Sequence, residues 1–305
     1  MKRVRLDVPA TSANLGPGFD SLGMALDLAD SYIVEFHPGG SEVLADWATC
    51  AEAEVARSDH YACQGYHAYA ADTGLALPGA SFTREGQIPV GKGFGSSAAA
   101  IVAGLAAGAH AAGEKDGQDR IVRLAAKLEG HPDNSTAAIL GGVTVAFFDG
   151  EEVHALNIVN HVSLGVALFV PEEALPTVEA RRILPADVSV QDAVYNLSRS
   201  TYLATALAWG RWEHVAPAMR DRLHQPYRTQ LIPGLECVIS SAVDAGAYGA
   251  ALSGGGPAVI ALGPRERIHE IAERMEEAAH EQAWPGHGLQ TQVRSRGVQV
   301  TELDG

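Results

Sequence analysis

Apolar and polar residues alternate along Arg3–Val8 and again along Tyr32–Phe36, the two-residue period of strands with one face buried. Ala80–Arg84, Val143–Phe148 and Ser163–Val170 read as further strands. Helical composition covers Tyr61–Gly74, stopped by its glycine, and an amphipathic pattern covers Arg120–Glu129 up to Gly130. The run SSAAAIVAGLAAGAHAAG from Ser96 is apolar all round, so a helix there is buried with neighbours close against its alanines and glycines. Beyond Pro171, helices are expected at Thr177–Leu184, Val190–Gly210, Glu213–Asp221, Leu235–Ala245 and Arg265–Gln282. Strands are expected at Gly249–Leu252, Ala258–Leu262 and near Thr291–Val293. Residues 38–60 carry little periodicity and suggest short strands and turns. The mixed order of helix and strand in two halves predicts an α+β chain of two lobes, residues 1–160 and 161–305.

Composition narrows what such a chain does. Of 305 residues 47% are hydrophobic and 19% charged, enough to bury a sizeable core. Lys and Arg total 22 against 37 Asp and Glu, a formal charge of −15 that repels a phosphate backbone and argues against nucleic acid. A polyphosphate ligand then requires a local site whose donors overcome that field. Cys50, Cys63 and Cys237 form no CxxC pair, which argues against structural zinc or a disulfide framework. The basic start MKRVRLDVPA lacks the apolar core of a signal peptide, and the most apolar runs fall short of the ~18 residues of a membrane helix. The expectation is a cytoplasmic protein that does not engage a membrane.

Three glycine-rich loops carry the candidate chemistry. In Pro89-Val-Gly-Lys-Gly-Phe-Gly-Ser-Ser97, the glycines let successive N–H groups turn inward before Ser96 and Ser97 open a helix. The unpaired N–H groups and positive dipole end of that helix make an anion cradle. Its lysine lies inside the loop, unlike GxxxxGK[ST], and the glycine spacing is not that of a dinucleotide turn. Pro9-Ala-Thr-Ser-Ala-Asn-Leu-Gly-Pro-Gly-Phe-Asp20 sets Asn14 and Asp20 in a stretch stiffened by two prolines. Asp20 has a competing reading as the N-cap of a helix at Ser21–Leu26. Leu252-Ser-Gly-Gly-Gly-Pro257 lies between two apolar strands, where consecutive glycines admit close approach of ligand or backbone.

These loops resemble the motifs of the small-molecule kinases named after galactokinase, homoserine kinase, mevalonate kinase and phosphomevalonate kinase. Within that family the chain is most similar to the homoserine-phosphorylating branch. That resemblance rests on Asn14–Asp20, Glu129-Gly-His-Pro-Asp-Asn134, Ala180-Arg-Arg-Ile-Leu-Pro185, Asn196-Leu-Ser-Arg199 and Leu223-His-Gln-Pro-Tyr-Arg228, which run almost end to end in order. It implies a ribosomal-S5-domain-2-like N-terminal lobe, a ferredoxin-like C-terminal lobe, and a homodimer. It implies ATP on Pro89, Val90, Gly91, Lys92, Gly93, Phe94, Gly95, Ser96 and Ser97, with Mg²⁺ touched by Ser97. The acceptor implied is L-homoserine, its ammonium on Asp20 beside Asn14 and its carboxylate on Arg181 and Arg228. Asn134 and Thr177 would serve the reacting hydroxyl and phosphate, and His131 the substrate. Asn134 and His131 also suit helix capping, and Arg181, beside Arg182, also suits a solvated surface.

Two positions depart from the family pattern. Its metal-binding glutamate, eight residues before the histidine, falls on Arg123. The expectation is therefore weakened metal binding with Arg123 near the phosphates, with Glu129 as a less favoured substitute because six residues separate it from that position on the helix. The competing readings are a non-catalytic amino-acid-binding protein and a kinase of the same family that acts on another small alcohol. Near residue 60, where the family has an asparagine close to the nucleotide, the chain reads Ser58-Asp-His-Tyr61.

Overall fold

The computed structural model describes residues 2–46, 58–114, 117–160 and 163–303. Residues 47–57 of the stretch read as short strands and turns, Cys50 among them, lie outside the described residues. In chain order the elements are β1 (Arg3–Ala13), β2 (Leu22–His37), β3 (Val43–Asp46), α1 (Tyr61–Thr73), β4 (Gly79–Glu85), α2 (Ser96–Ala112), α3 (Gln118–Glu129), α4 (Asp133–Leu140), β5 (Val143–Asp149) and β6 (Glu152–Val159). There follow β7 (Gly165–Pro171), α5 (Thr177–Arg182), α6 (Val190–Trp209), α7 (Val215–Ala218), α8 (Gln225–Arg228), α9 (Leu235–Asp244), β8 (Gly249–Leu252), β9 (Val259–Gly263), α10 (Ile268–Glu281), β10 (Gly286–Gln292) and β11 (Gln299–Leu303).

Among the described residues these strands make two sheets, an α+β architecture. One runs β11-β1-β2-β4-β3 with β5 and β6 joined to the start of β2; the other runs β10-β7-β9-β8. The period-2 pattern of β1 puts Val4, Leu6, Val8 and Ala10 fully into the core. Strand β7 is buried on both faces. Its Val166, Leu168 and Val170 join the core of the first sheet, while Ala167 and Phe169 join a second core with α9 and α10. Strand β9 divides its side chains in the same way, so the two sheets share a packed boundary.

Helix α2 is buried as expected of a helix without a polar face, from Ala98 to Ala109. Its Gly104 lies so close to α1 that an added Cβ would fall 2.0 Å from the Ala62 carbonyl oxygen. That crossing positions the start of α2, and with it the cleft described below.

Several expectations are corrected. The segment from Pro9, read as loop, continues β1 to Ala13: Pro9 still faces Ala29, and after a register shift in which a step of two residues in β1 spans four in β2, pairing resumes with Thr11 opposite Ala25. Residues 21–26 form no helix: β2 starts at Leu22 and pairs at once with β1 and β5. The helix expected over Glu213–Asp221 is a 3₁₀ turn, Trp212–His214, followed by the short α7. The final strand is longer and earlier than expected, and β6 and β11 were not foreseen. Strand β11 pairs antiparallel with β1, so residues 299–303, expected in the C-terminal lobe, lie on the first sheet. Register against a distant strand has no local signature.

Candidate active site

A cleft of about 310 Å³ opens where the three glycine-rich loops converge. Gly91, Gly93, Phe94, Gly95, Ser96 and Ser97 line one side; Asn14, Asp20, His131, Asp133, Asn134, Thr177, Arg181 and Arg228 are among the residues that line the other.

The first side is made of backbone. Gly95 precedes α2 in the left-handed region, at φ 65°, and no side chain caps the helix. The first helical bond runs from Ala99 N–H to the Gly95 carbonyl, which leaves the N–H groups of Ser96, Ser97 and Ala98 without helical partners. A Cβ on Gly95 would fall 2.2 Å from Thr11 Oγ1, so only glycine fits here. Both lobes hold the loop. Thr11 N–H donates to Phe94 O (3.1 Å), Ser253 Oγ to Gly93 O (2.8 Å), Ala258 N–H to Lys92 O (3.1 Å) and Leu175 N–H to Gly91 O (3.1 Å). Pro89, Val90 and Lys92, expected on the nucleotide, do not line the cleft. The Lys92 ammonium donates instead to the Glu172 carbonyl.

Glu129, the last residue of α3, reaches this loop. Ser97 Oγ donates to its Oε1 (2.7 Å), while its Oε2 is buried with no hydrogen-bond partner among the described residues. The stem is partly open but the carboxylate is enclosed, and burial pushes its pKa up despite His131 and Ser97. A buried carboxylate oxygen without a donor, beside a serine hydroxyl at a helix N-terminus, fits a hard divalent cation. Arg123 is elsewhere. It donates twice to Asp72 (2.9 and 3.1 Å), to which Arg120 donates once, on the surface between α1 and α3. At about 100° per residue, six residues separate the two side chains by about 240° round the helix, so when Glu129 faces the cleft Arg123 cannot. The expectation of Arg123 at the phosphates is therefore overturned. Only Gly130–Pro132 joins α3 to α4, so counting eight residues back from His131 overshoots the carboxylate. The argument for a non-catalytic relative loses its ground with it.

The second side is made of charged side chains from separated segments. Asp20 and Arg181, expected on opposite ends of a zwitterion, pair with each other through bonds of 2.7 and 3.0 Å. Asp20 has a positive φ of 53° and caps no helix. Asn14 is spent on structure: its amide donates to Gly254 O (2.8 Å) and accepts from Asp20 N–H (3.0 Å). Asn134, on the first turn of α4, accepts from Thr11 Oγ1 (2.8 Å), which fixes the amide with its nitrogen as the remaining donor. His131 Nδ1 lies 2.7 Å from Asp133 Oδ1. Burial lowers the His131 pKa, but the Asp133 hydrogen bond and charge outweigh it and the net direction is up. Asp20, His131 and Asp133 could each offer a metal a ligand atom within 4.8 Å of the others, but Arg181 already neutralises Asp20. Thr177 starts the short α5 at the rim.

Arg228 is 2% exposed, and burial, then Arg181, brings its pKa down to about 10, so it remains a cation at neutral pH. The Asn196 motif is scaffold: its amide nitrogen donates to Asp221 Oδ1 (2.6 Å) and Pro17 O (3.2 Å), tying α6 to the loop that carries Asp20. Thr11, Ser253 and Phe19 support the site without having stood out in the sequence. Each is an ordinary residue type whose role exists only through its partner.

Similarity to known proteins points to one family. Residues 60–142 match the model of the GHMP kinases N terminal domain, and residues 203–281 that of the GHMP kinases C terminal. A homoserine kinase of Desulfitobacterium hafniense is 40% identical over 91% of this chain and 93% of its own. One from Carboxydothermus hydrogenoformans is 43% identical over 84% and 83%. Among solved structures, the crystal structure of homoserine kinase from Cytophaga hutchinsonii superposes with a TM-score of 0.89 at 25% identity, covering 98% of this chain and 97% of that one. A mevalonate kinase of L. major, at 16% identity and a TM-score of 0.71 over 94% and 95% of the chains, shares the fold.

Proposed function

The chain belongs to the GHMP kinases, and from that premise we propose that it transfers the γ-phosphoryl group of ATP to the side-chain hydroxyl of L-homoserine. The observation that carries this reading is one cleft with an anion cradle at one end and an Asp20, Arg181, Arg228 and Asn134 cluster at the other. A phosphate chain suits the first; a small zwitterion with a hydroxyl suits the second.

Phosphoryl transfer asks a protein mainly for positioning and charge neutralisation. The N–H groups of Ser96, Ser97 and Ala98 bind the phosphates of the donor. Glu129 and Ser97 would hold Mg²⁺, whose contribution is to neutralise phosphate charge. Asp20 takes the substrate ammonium; Arg181 and Arg228 take its carboxylate by planar, charge-assisted bonds. Because Asp20 and Arg181 bond each other in the free protein, an amino acid enters by exchange, its ammonium and carboxylate each replacing one partner of the pair. Ligands bearing only one of these charges leave a site charge unpaired, and are disfavoured. Asn134, its amide turned by Thr11, orients the hydroxyl, and Thr177 lies on the phosphate side. With a loose transition state the hydroxyl proton leaves late and no strong base is required. This chemistry assigns the chain to the threonine biosynthetic step that consumes homoserine.

The reading also includes a cytoplasmic homodimer. No helix among the described residues is long and apolar enough to cross a membrane. Helix α6 exposes Val190 (81%), Leu197 (69%) and Trp209 (75%), while its charged residues, Asp192 and Arg199, lie on the opposite face. Two copies at −15 meet at least electrostatic cost on an uncharged face. Leu197→Asp should turn a dimer into a monomer in sedimentation velocity; an unchanged sedimentation coefficient removes α6 from the interface.

The decisive assay supplies ATP and magnesium with L-homoserine, L-threonine, mevalonate or galactose. O-phospho-L-homoserine and stoichiometric ADP are expected, with the other acceptors far poorer. ADP release indifferent to homoserine, or faster with another acceptor, refutes the assignment.

A further inference from the structure

Arg228 is held more tightly than a surface arginine. Its Nε donates to Ala180 O (3.0 Å), and its Nη1 reaches both Gly254 O (3.2 Å) and His224 Nδ1 (3.0 Å). His224 is fully buried, and its Nε2 lies 2.7 Å from the Gly16 carbonyl oxygen. The Phe19 ring stacks on the imidazole, centroids 5.2 Å apart at 24°, and the Arg228 guanidinium carbon lies 5.6 Å from the centre of the same ring.

These partners leave His224 one protonation state. A carbonyl only accepts, so Nε2 carries the proton; a guanidinium only donates, so Nδ1 offers its lone pair. The imidazole relays position from the Gly16 turn to the guanidinium, and Phe19 packs on both. We propose that His224, as the neutral Nε2–H tautomer, is a positioning residue that aims Arg228 at the carboxylate of the amino-acid substrate. This rests on the reading above that Arg228 receives that carboxylate.

The charged neighbours of His224 are Asp221, Arg228 and Asp20. Asp221 Oδ2 is 3.6 Å from Nε2, but its carboxylate already accepts from the N–H groups of Leu223, His224 and Gln225 and from Asn196. Burial pushes the imidazole pKa below its ordinary value; Asp221 and Asp20 oppose this, Arg228 adds to it, and the net direction is down. The neutral form therefore holds at neutral pH, and protonation, as pH falls well below about 6.5, sets an N–H against the Arg228 N–H. Homoserine affinity should fall there, while ATP affinity follows other groups.

The test combines ¹⁵N-histidine NMR with homoserine calorimetry and steady-state kinetics on wild type, His224→Leu and His224→Asn. In wild type at pH 7, NMR should show Nε2 protonated and Nδ1 bare; the opposite tautomer or an imidazolium overturns the proposal. His224→Leu should weaken homoserine about tenfold or more, as expected for losing a hydrogen bond to a charged group, with the ATP KM within about twofold. His224→Asn, which places an amide oxygen near the Nδ1 position, should recover most of that affinity and lose the acid limb of its pH profile. A parallel loss of ATP and homoserine affinity, or Asn no better than Leu, assigns His224 a merely structural role. If the Leu variant does not fold, the wild-type NMR and the Asn pH profile decide. A wild type that binds no homoserine overturns the substrate reading and this proposal together; variants that bind it as well as wild type overturn this one alone.

Discussion

The two ends of the cleft solve electrostatic problems of opposite kind. The phosphate end carries its positive potential on backbone N–H groups at the start of α2, fixed by helix geometry and by bonds from both lobes. No charge must be created or moved for it to work, and the global −15 does not cancel a local dipole array. The amino-acid end carries full charges on flexible side chains, and in the free protein these satisfy one another: Asp20 holds Arg181, and Asp133 holds His131. One end is preorganised by the chain itself; the other is assembled by exchange of partners. Glu129 sits between them, an enclosed carboxylate whose second oxygen has no donor.

The largest effect should come from that junction. Glu129→Gln keeps the Ser97 contact and removes the charge, and is expected to lower kcat by on the order of 10²-fold or more while raising the magnesium needed for half-maximal rate. An unchanged magnesium requirement would detach Glu129 from any metal. The same substitution should have the opposite sign on stability. The folded-state pKa of Glu129 is raised, so its protonated form favours the fold, and stability is lost as pH rises through that value. At pH 8 without magnesium, Glu129→Gln should therefore melt higher than wild type by roughly 2 °C; a lower melting temperature contradicts the orphaned carboxylate.

Next in size are variants that separate the two ends. Asp20→Asn or Arg181→Met should each weaken homoserine binding by about 1.5–3 kcal/mol, with ATP binding little changed. The double variant should lose less than the sum, because each single change strands a charge the other removes. Strict additivity would mean the pair is not exchanged on binding. Gly95→Ala should do the converse. Its positive φ and the clash with Thr11 cost on the order of 1–3 kcal/mol, read chiefly as weaker ATP binding, with a smaller loss of homoserine affinity because the added methyl also meets Asn134. Equal losses at both ends would show that the cradle and the amino-acid site move as one.

The smallest effect is expected at Arg123. Its bonds to Asp72 lie on the surface, so Arg123→Glu should change stability by no more than about 1 kcal/mol and leave the magnesium titration unmoved. A shift in that titration would return Arg123 to the metal site.

The α+β class, the buried stretch of α2 and the anion cradle were legible in the chain, because each depends on neighbours a few positions away, whereas the charged residues that line the cleft were named through the family resemblance. Period-2 alternation needs no partner strand to be seen, and a run such as Gly91–Ser97 bends and opens a helix from its own composition. Tertiary structure decided the rest. It turned Arg123 outward and Glu129 inward, because helix phase, together with a three-residue turn to α4, sets which side chain meets Ser97. It spent Asn14 on Gly254 and Lys92 on Glu172, both partners remote in sequence. It returned β11 to the first sheet and bound Asp20 to Arg181, 161 residues away. The physical reason is that a side chain's type states what it can bond, while the distance to its partner is set only when separated segments pack.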